Sequence, residues 1–283
     1  MSLELSLEST IHNYDYLKYL DTLPLAKSEI FIPSLSLIYL FIVLFIGPMY
    51  MRKRQPITWI KKIIPFYNLL QVIANGYIFI YAIKDITFVE TAICNLCGNN
   101  PVSAEFNKKF ILLGYMWCLI KISDFLDTFF FILLKKQSHV SFLHVYHHST
   151  TMLVAYFVYR YIHTEQSLVY AAVNCLVHVV MYSYYLLTSL GFKVKWKHLV
   201  TIMQLVQFFG MMLMTIFLLT CQQNTRYFYF SVFGLYQCTM YLYLFMKFYL
   251  KSYKHKQPSK LKNINFDENL STNLLTAVKT KIQ

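Results

Sequence analysis

Residues 142–162 read Phe-Leu-His-Val-Tyr-His-His-Ser-Thr-Thr-Met-Leu-Val-Ala-Tyr-Phe-Val-Tyr-Arg-Tyr-Ile. The run is long and apolar enough to cross a bilayer as a helix, yet its first turns hold His144, His147 and His148. Positions i, i+3 and i+4 share one helical face, so the three rings converge on one small volume. Ionisable groups at membrane depth are costly and point to function. A lone histidine in such a span reads as a hydrogen-bonded packing residue; three at this spacing read as a reaction site.

The surrounding chain supports a membrane setting. Of 283 residues, 57% are hydrophobic and 14% charged, against roughly a quarter charged in soluble domains. Stretches of about 20 apolar residues predict seven transmembrane helices, near 30–50, 63–83, 110–134, 142–162, 167–190, 198–220 and 227–250. The expectation is an all-α membrane protein with a luminal arm at 1–29, one transmembrane domain at 30–250 and a basic tail at 251–283.

The net charge of +13 follows the loops rather than forming a nucleic-acid footprint. Arg52, Lys53, Arg54, Lys61, Lys62, Lys135, Lys136, Lys193, Lys195, Lys197 and the tail lysines fall on one side of the seven spans. They outnumber Lys18, Lys27, Lys84, Lys108, Lys109, Arg160 and Arg226 on the other. The positive-inside rule therefore predicts a luminal N-terminus and a cytosolic C-terminus. Topology and headgroup contact account for most of this charge; a basic mouth for an anionic cytosolic substrate is the sharper reading.

The first 28 residues lack the short apolar core of a cleavable signal, so the first span is expected to direct insertion. The ending Lys279-Thr-Lys281-Ile-Gln283 has the form of a cytosolic di-lysine retrieval signal and suggests the endoplasmic reticulum. The sequon Asn269-Leu270-Ser271 then lies on the wrong side for glycosylation. Six cysteines are few for a disulfide scaffold. Cys94, Cys97 and Cys221 face the oxidising lumen in this topology, and one bridge, Cys97 to Cys221, is expected.

Polar stripes recur on other spans. Lys121, Asp124 and Thr128 share a face of span three, with Asp127 beside them. Facing lipid they would be prohibitive, so they face the interior, as a helix-fastening ion pair or as orienters of a histidine. Span five carries Asn174, His178, Met181, Tyr182 and Tyr185 in one stripe, where tyrosines near the end read equally as interfacial anchors. Span six opens with Thr201, Gln204 and Gln207. Span two offers Asn68, Gln71 and Asn75, read as interhelical glue. Together these stripes describe a polar chamber open to the cytosol.

Taken in order, these segments resemble the ELO family of very-long-chain fatty acid elongases. Its hallmarks K-x-x-E-x-x-D-T, H-x-x-H-H, N-x-x-x-H-x-x-M-Y-x-Y-Y and T-x-x-Q-x-x-Q match Lys121-Ile-Ser-Asp124-Phe-Leu-Asp127-Thr128, His144-Val-Tyr-His147-His148, Asn174 to Tyr185 and Thr201 to Gln207. Asp124 is one methylene shorter than the usual Glu. His139 stands where members acting on polyunsaturated chains commonly have Gln, so preferred unsaturation stays open.

The resemblance implies that the last six helices enclose an acyl tunnel. It implies condensation of a long-chain acyl-CoA with malonyl-CoA, with loss of carbon dioxide, to a 3-oxoacyl-CoA. His147 would be the nucleophile; His178 and Asn174 would hold the thioester or enolate oxygen. His144 and His148 would orient or shuttle protons, with Asp124 or Asp127. Lys121, Thr128, Tyr182, Tyr185, Gln204 and Gln207 would line the substrate site, and Lys136, Lys195 and Lys197 would meet CoA phosphates. No cofactor or metal is needed. Membrane lipid, the reductases and dehydratase of the elongation cycle and a second copy of the chain are the expected partners, and nucleic acid is not.

Two other classes of protein compete with this reading. A di-iron desaturase needs about eight histidine ligands, and this chain has nine histidines with His12, His163 and His255 outside any cluster. A single zinc on His144, His148 and His178 is the remaining metal reading. A seven-helix receptor or transporter lacks support: no D-R-Y or N-P-x-x-Y ending and no broken-helix repeat is present.

Overall fold

In the computed structural model the described residues are 22–23, 28–84, 104–162, 164–221 and 225–254. Among them every regular element is helical. We label the helices α1 (Phe31–Met51), α2 (Ile64–Ile83), α3 (Ala104–Ser123), α4 (Phe125–Leu133), α5 (Phe142–Tyr161), α6 (Glu165–Ser189), α7 (Lys197–Cys221) and α8 (Thr225–Tyr249). The stretches predicted as spans all fall on these helices, with α3 and α4 sharing one. By length and apolarity alone, Phe31–Met51, Ile64–Ile83, Gln166–Ser189 and Lys197–Thr220 can cross a membrane.

Residues 1–245 form one unit. In it α2 packs along α6, α3 against α5, and α7 against α6. Ile78, Leu113, Met152, Ala155, Tyr156 and Cys175 are wholly enclosed. Apolar side chains also cover the outside, among them Leu37, Leu44 and Phe45 on α1, Phe66 and Ile73 on α2 and Val206 on α7. So much outward apolar surface suits lipid rather than water. Residues 246–283 form a second unit, described to residue 254, in which the Tyr249 and Tyr253 rings lie 5.3 Å apart.

Local sequence explains how the rods are shaped. In α1, Pro48 has no N–H to give back to the preceding turn. The ladder widens there to a π-turn over Ile42–Ile46, with the Gly47 N–H reaching the Ile42 carbonyl. A Cβ on Gly47 would meet Ile132 Cγ2 at 3.0 Å, so glycine lets α1 approach α4. A Cβ on Gly114 would meet Tyr159 Cβ at 2.9 Å, and the same device brings α3 onto α5.

The rod formed by α3 and α4 tightens at Asp124, whose carbonyl accepts from the Asp127 N–H at 3.3 Å. It ends in a left-handed residue, Lys135 (φ 56°), with the Lys136 N–H bonded to the Phe131 carbonyl at 2.8 Å. That is the double-bonded C-terminal motif in which glycine is usual. Ser141 then caps α5, its hydroxyl accepting from the His144 N–H at 3.3 Å. The eight-residue connection 134–141 thus fixes the first turn of the histidine helix relative to α4.

Candidate functional site

The site is assembled from two polar regions. The first is built on the α3–α4 rod. Lys121, 1% exposed, donates to Asp124 Oδ2 at 3.2 Å. Asp124 Oδ1 accepts from Gln71 Nε2 of α2 at 3.1 Å and from the Tyr182 hydroxyl of α6 at 3.1 Å. The same hydroxyl lies 2.7 Å from Asp127 Oδ2, so one phenol bridges two carboxylates. Gln71 Nε2 also donates to Ser123 Oγ and to the Tyr67 hydroxyl, and Asn75 holds Gln71 by its carbonyls.

His178 on α6 borders this network. The Lys121 ammonium lies 3.5 Å from each of its ring nitrogens, and Asp124 Oδ2 is 3.9 Å from Nδ1. The shorter carboxylate therefore still spans three helices. Lys121 also falls within electrostatic range of His147 and His148.

The second region is the histidine face of α5. His144 Nε2 is hydrogen-bonded to Thr128 Oγ1 at 2.9 Å, and Thr128 in turn to the Tyr39 hydroxyl of α1 at 2.8 Å. The residue that orients an α5 histidine is thus Thr128; Asp127 turns to Tyr182 and Asp124 borders His178. The His144 and His148 rings are 4.1 Å apart, and His147 lies 5.7 Å from His148. His147 is walled by Tyr241 at 5.1 Å, Phe245 at 5.7 Å and Phe208 at 6.0 Å. Its ring nitrogens make no hydrogen bond among the described residues. Thr151, on the same face, turns its hydroxyl back to the His147 carbonyl at 2.6 Å.

His148 Nδ1, Asn174 Oδ1 on α6 and Gln207 Oε1 on α7 are buried with no side-chain or backbone partner among the described residues. Gln204 donates to Met181 Sδ at 3.5 Å. Tyr182 is fully buried within the carboxylate network, whereas Tyr185 is 37% exposed, in keeping with an interfacial anchor. Among the described residues no group of three or more His, Cys, Asp or Glu side chains is disposed to hold a metal ion.

One turn along α5 from His147, α5 and α8 line an open cleft of about 670 Å³ with an almost wholly apolar lining, including Leu153, Phe157, Phe230 and Phe233. Its polar rim is Thr150 and Gln237. Thr150 is hydrogen-bonded to the Tyr241 hydroxyl at 2.7 Å, and Gln237 Oε1 accepts from Tyr146 at 2.8 Å.

At the ends of the rods Lys136, Lys195 and Lys197 are exposed. Lys136 and Lys197 both act electrostatically on His139. Desolvation, then these two ammonium groups, lower the His139 pKa below its ordinary 6.5. Its ring packs on Phe131 at 5.0 Å, and Phe131 touches His144 at 5.4 Å.

Cys97, the di-lysine ending and the sequon lie outside the described residues, as does the side chain of Cys221. Tyr39, Tyr67, Ser123 and Gln71 are the site residues that the sequence alone did not assign to it. Gln71 and its neighbours carried a signal, a polar i, i+4 stripe on span two, but that stripe read as glue.

An apolar helical protein with a buried histidine triplet, a lysine–carboxylate network and an adjoining apolar cavity defines a class of membrane proteins acting on a long apolar molecule with a polar end. The chain belongs to the ELO family: the GNS1/SUR4 family model matches residues 24–261. It is 34% identical over 234 residues to very long chain fatty acid elongase 5 of Tachysurus fulvidraco, covering 80% of this chain and 77% of that one. Against elongase 5 of Mus musculus it is 33% identical over 237 residues (81% and 76%), and against elongase 4 of Mus musculus 31% over 243 (84% and 76%).

Proposed function

We propose that the chain is a very-long-chain 3-oxoacyl-CoA synthase of the endoplasmic reticulum membrane. It joins a long-chain acyl-CoA to malonyl-CoA and releases carbon dioxide and one CoA. The observation that carries this reading is His147. It is an imidazole whose ring makes no hydrogen bond among the described residues, set between two neighbours and one turn from the rim of an apolar cleft.

His147 attacks the acyl-CoA thioester carbon. The carbon–sulfur bond breaks, the thiolate leaves as CoA, and the imidazole proton passes to it, leaving an acyl-imidazole. Malonyl-CoA then loses carbon dioxide to give an enolate, whose carbon attacks the acyl group. The carbon–nitrogen bond breaks, and His147 regains a proton. In this reading His178 and the amide of Asn174 hold the developing oxyanion. His144 and His148 adjoin His147 as proton carriers, and Lys121 sets the local positive field. Lys136, Lys195 and Lys197 meet the CoA phosphates.

In the same reading seven helices span the membrane, the last six enclose the acyl tunnel, and the mouth with its lysines is cytosolic. The N-terminus is luminal and the C-terminus cytosolic, and a Cys97–Cys221 bridge ties two luminal segments. A second copy of the chain and the reductases and dehydratase of the cycle are its partners; no cofactor is required.

Purified protein given labelled malonyl-CoA and a panel of acyl-CoAs tests the reading. A 3-oxoacyl product is expected. Intact mass after incubation with acyl-CoA alone should show an acyl adduct. An undiminished adduct in His147→Ala would remove that residue from the role, and absence of product with every acyl-CoA would sink the assignment.

A further inference from the structure

The first helix sends one polar side chain toward the histidine face that the mechanism above does not use. Along α1 the inward positions are Ile32, Ser36, Tyr39 and Val43, each 2% exposed or less, while Leu37, Leu44 and Phe45 point outward. The first turns of α1 pack along α5 and its last turns against α4. The Tyr39 ring lies flat on Phe125, with centroids 3.8 Å apart, and meets Phe129 edge-on at 6.1 Å. Its hydroxyl has a single hydrogen-bond partner among the described residues, Thr128 Oγ1 at 2.8 Å. Thr128 Oγ1 is in turn 2.9 Å from His144 Nε2.

Thr128 is set apart from other helical threonines of the molecule. The hydroxyls of Thr150, Thr151 and Thr215 return to the carbonyl four residues back, at 2.6, 2.6 and 2.8 Å. That local bond is the usual resting place of a threonine inside a helix. Thr128 makes no such bond among the described residues; its hydroxyl serves Tyr39 and His144 alone.

The hydrogens along this string then run in one direction. Each hydroxyl carries one proton, and a neutral imidazole carries one on a single nitrogen. With the imidazole proton on Nε2, three donors would share two contacts, and Tyr39 or Thr128, both wholly buried, would keep an unmade donor. An unmade buried donor is the costly outcome. With the proton on Nδ1, nothing is left over: Tyr39 gives to Thr128, and Thr128 gives to Nε2. The Nδ1–H makes no hydrogen bond among the described residues, and His144 is only part-buried. A ring in this form offers a donor to what lies beside it, since its one lone pair is covered by Thr128. A carbonyl or thiolate gaining charge next to the histidine face can accept that hydrogen bond.

We infer that Tyr39 is a positioning residue: it holds Thr128 away from its own helix and thereby fixes His144 as the Nδ1–H tautomer. The first helix thus takes part in the chemistry although it lies outside the six that enclose the acyl tunnel. The tautomer follows from the hydrogen-bond string, and its part in catalysis rests on the condensation reading above.

Nitrogen-15 magnetic resonance of histidine-labelled, full-length protein in bilayers tests this directly, because bare and protonated imidazole nitrogens resonate far apart. The His144 signals are those lost in His144→Gln. Wild type should show His144 protonated at Nδ1 with a bare, hydrogen-bonded Nε2. In Tyr39→Phe the stacked ring and the packing of α1 are kept, Thr128 is released to its own helix, and both tautomers should be populated. The kcat for 3-oxoacyl-CoA formation should fall about two- to tenfold, the worth of one hydrogen bond, with KM for both substrates unchanged.

An Nε2–H form in wild type would overturn the inference without recourse to any variant of Tyr39. So would an unchanged tautomer in Tyr39→Phe, or a shifted tautomer with wild-type kcat. The spectrum needs no turnover, so the two readings fail separately. The expected tautomers in a protein that makes no 3-oxoacyl product would remove the synthase reading and keep the string. Condensation by a protein with the wrong tautomer would do the reverse.

Discussion

The carboxylate network on α2, α3, α4 and α6 and the histidine face of α5 treat their polar atoms differently. In the network, Lys121, Asp124, Asp127, Gln71, Tyr67 and Tyr182 each have a protein partner, several of them two, while Asn75 Oδ1 at its edge has none among the described residues. On the histidine side, among the described residues, the His147 ring makes no hydrogen bond and His148 Nδ1 is buried without a partner, as are Asn174 Oδ1 on α6 and Gln207 Oε1 on α7. A buried unpaired polar atom costs about 1–3 kcal/mol. Such atoms are sites where another molecule's polar groups could recover the lost stability. The network is mostly satisfied within the protein, whereas the His147 ring and His148 Nδ1 are not.

That division predicts different failures on the two sides. His147→Ala should lower condensation by about a thousandfold or more, in line with loss of a nucleophile or general base. Its thermal midpoint in the same detergent should stay close to wild type, because no protein hydrogen bond is lost. A large fall in both would place His147 in the scaffold instead. On the network side, Lys121→Met leaves Asp124 without its cation inside the bundle. Breaking a buried pair in this way costs about 3–5 kcal/mol. The expected result is a markedly lower midpoint, or failure to purify as a folded species. A Lys121→Met protein with wild-type stability and no turnover would move Lys121 across the divide.

Smaller changes sharpen the boundary. Tyr182→Phe removes the hydroxyl that bridges Asp124 and Asp127, at an expected cost of about 1–3 kcal/mol. Thr128→Val cuts the chain from Tyr39 through Thr128 to His144. Its stability loss should be near 1 kcal/mol. The distinguishing readout is the pH profile of condensation, which should shift for Thr128→Val, because His144 is freed beside His148, and stay unchanged for Tyr182→Phe. Identical profiles in the two variants would mean that Thr128 does not position the histidine.

These contrasts also mark what a single chain of letters can convey. Helical periodicity alone put Lys121 and Asp124 on one face, and they are paired; it grouped the three histidines, and their rings are adjacent. Those are relations within one helix. Tyr39, Tyr67 and Gln71 reach the site from helices far away in sequence, through the packing of α1 on α4 and α2 along α6, and no local pattern encodes that. Tyr182 shows the same limit from the other side. Its stripe pointed inward as expected, but the two carboxylates its hydroxyl meets, Asp124 and Asp127, come from another helix and no pattern within α6 names them. Thr128 was legible as a buried hydroxyl, while its role as the His144 partner depends on the eight-residue connection that sets α4 against α5.

The end of that connection allows the finest comparison. α4 and α6 stop in the same way, with a left-handed residue and a 6→1 backbone hydrogen bond, Lys136 N–H to Phe131 and Phe192 N–H to Leu187. At α6 the left-handed residue is Gly191 (φ 94°), and a Cβ there would touch nothing within 4 Å. At α4 it is Lys135 (φ 56°). Gly191→Ala should therefore destabilise through the backbone alone, by about 1–2 kcal/mol. Lys135→Gly relieves the same penalty at α4. It also gives up a cation near a helix C-terminus, about 0.3–1 kcal/mol, and loosens the unfolded chain by about 0.4–1 kcal/mol. The net is a stabilisation of a few tenths of a kcal/mol, the smallest effect expected here and opposite in sign to Gly191→Ala. Thermal midpoints of the two variants in one detergent measure both. A clear loss of stability in Lys135→Gly would show that the lysine side chain itself holds the turn from which His139 and the first histidine of α5 are hung.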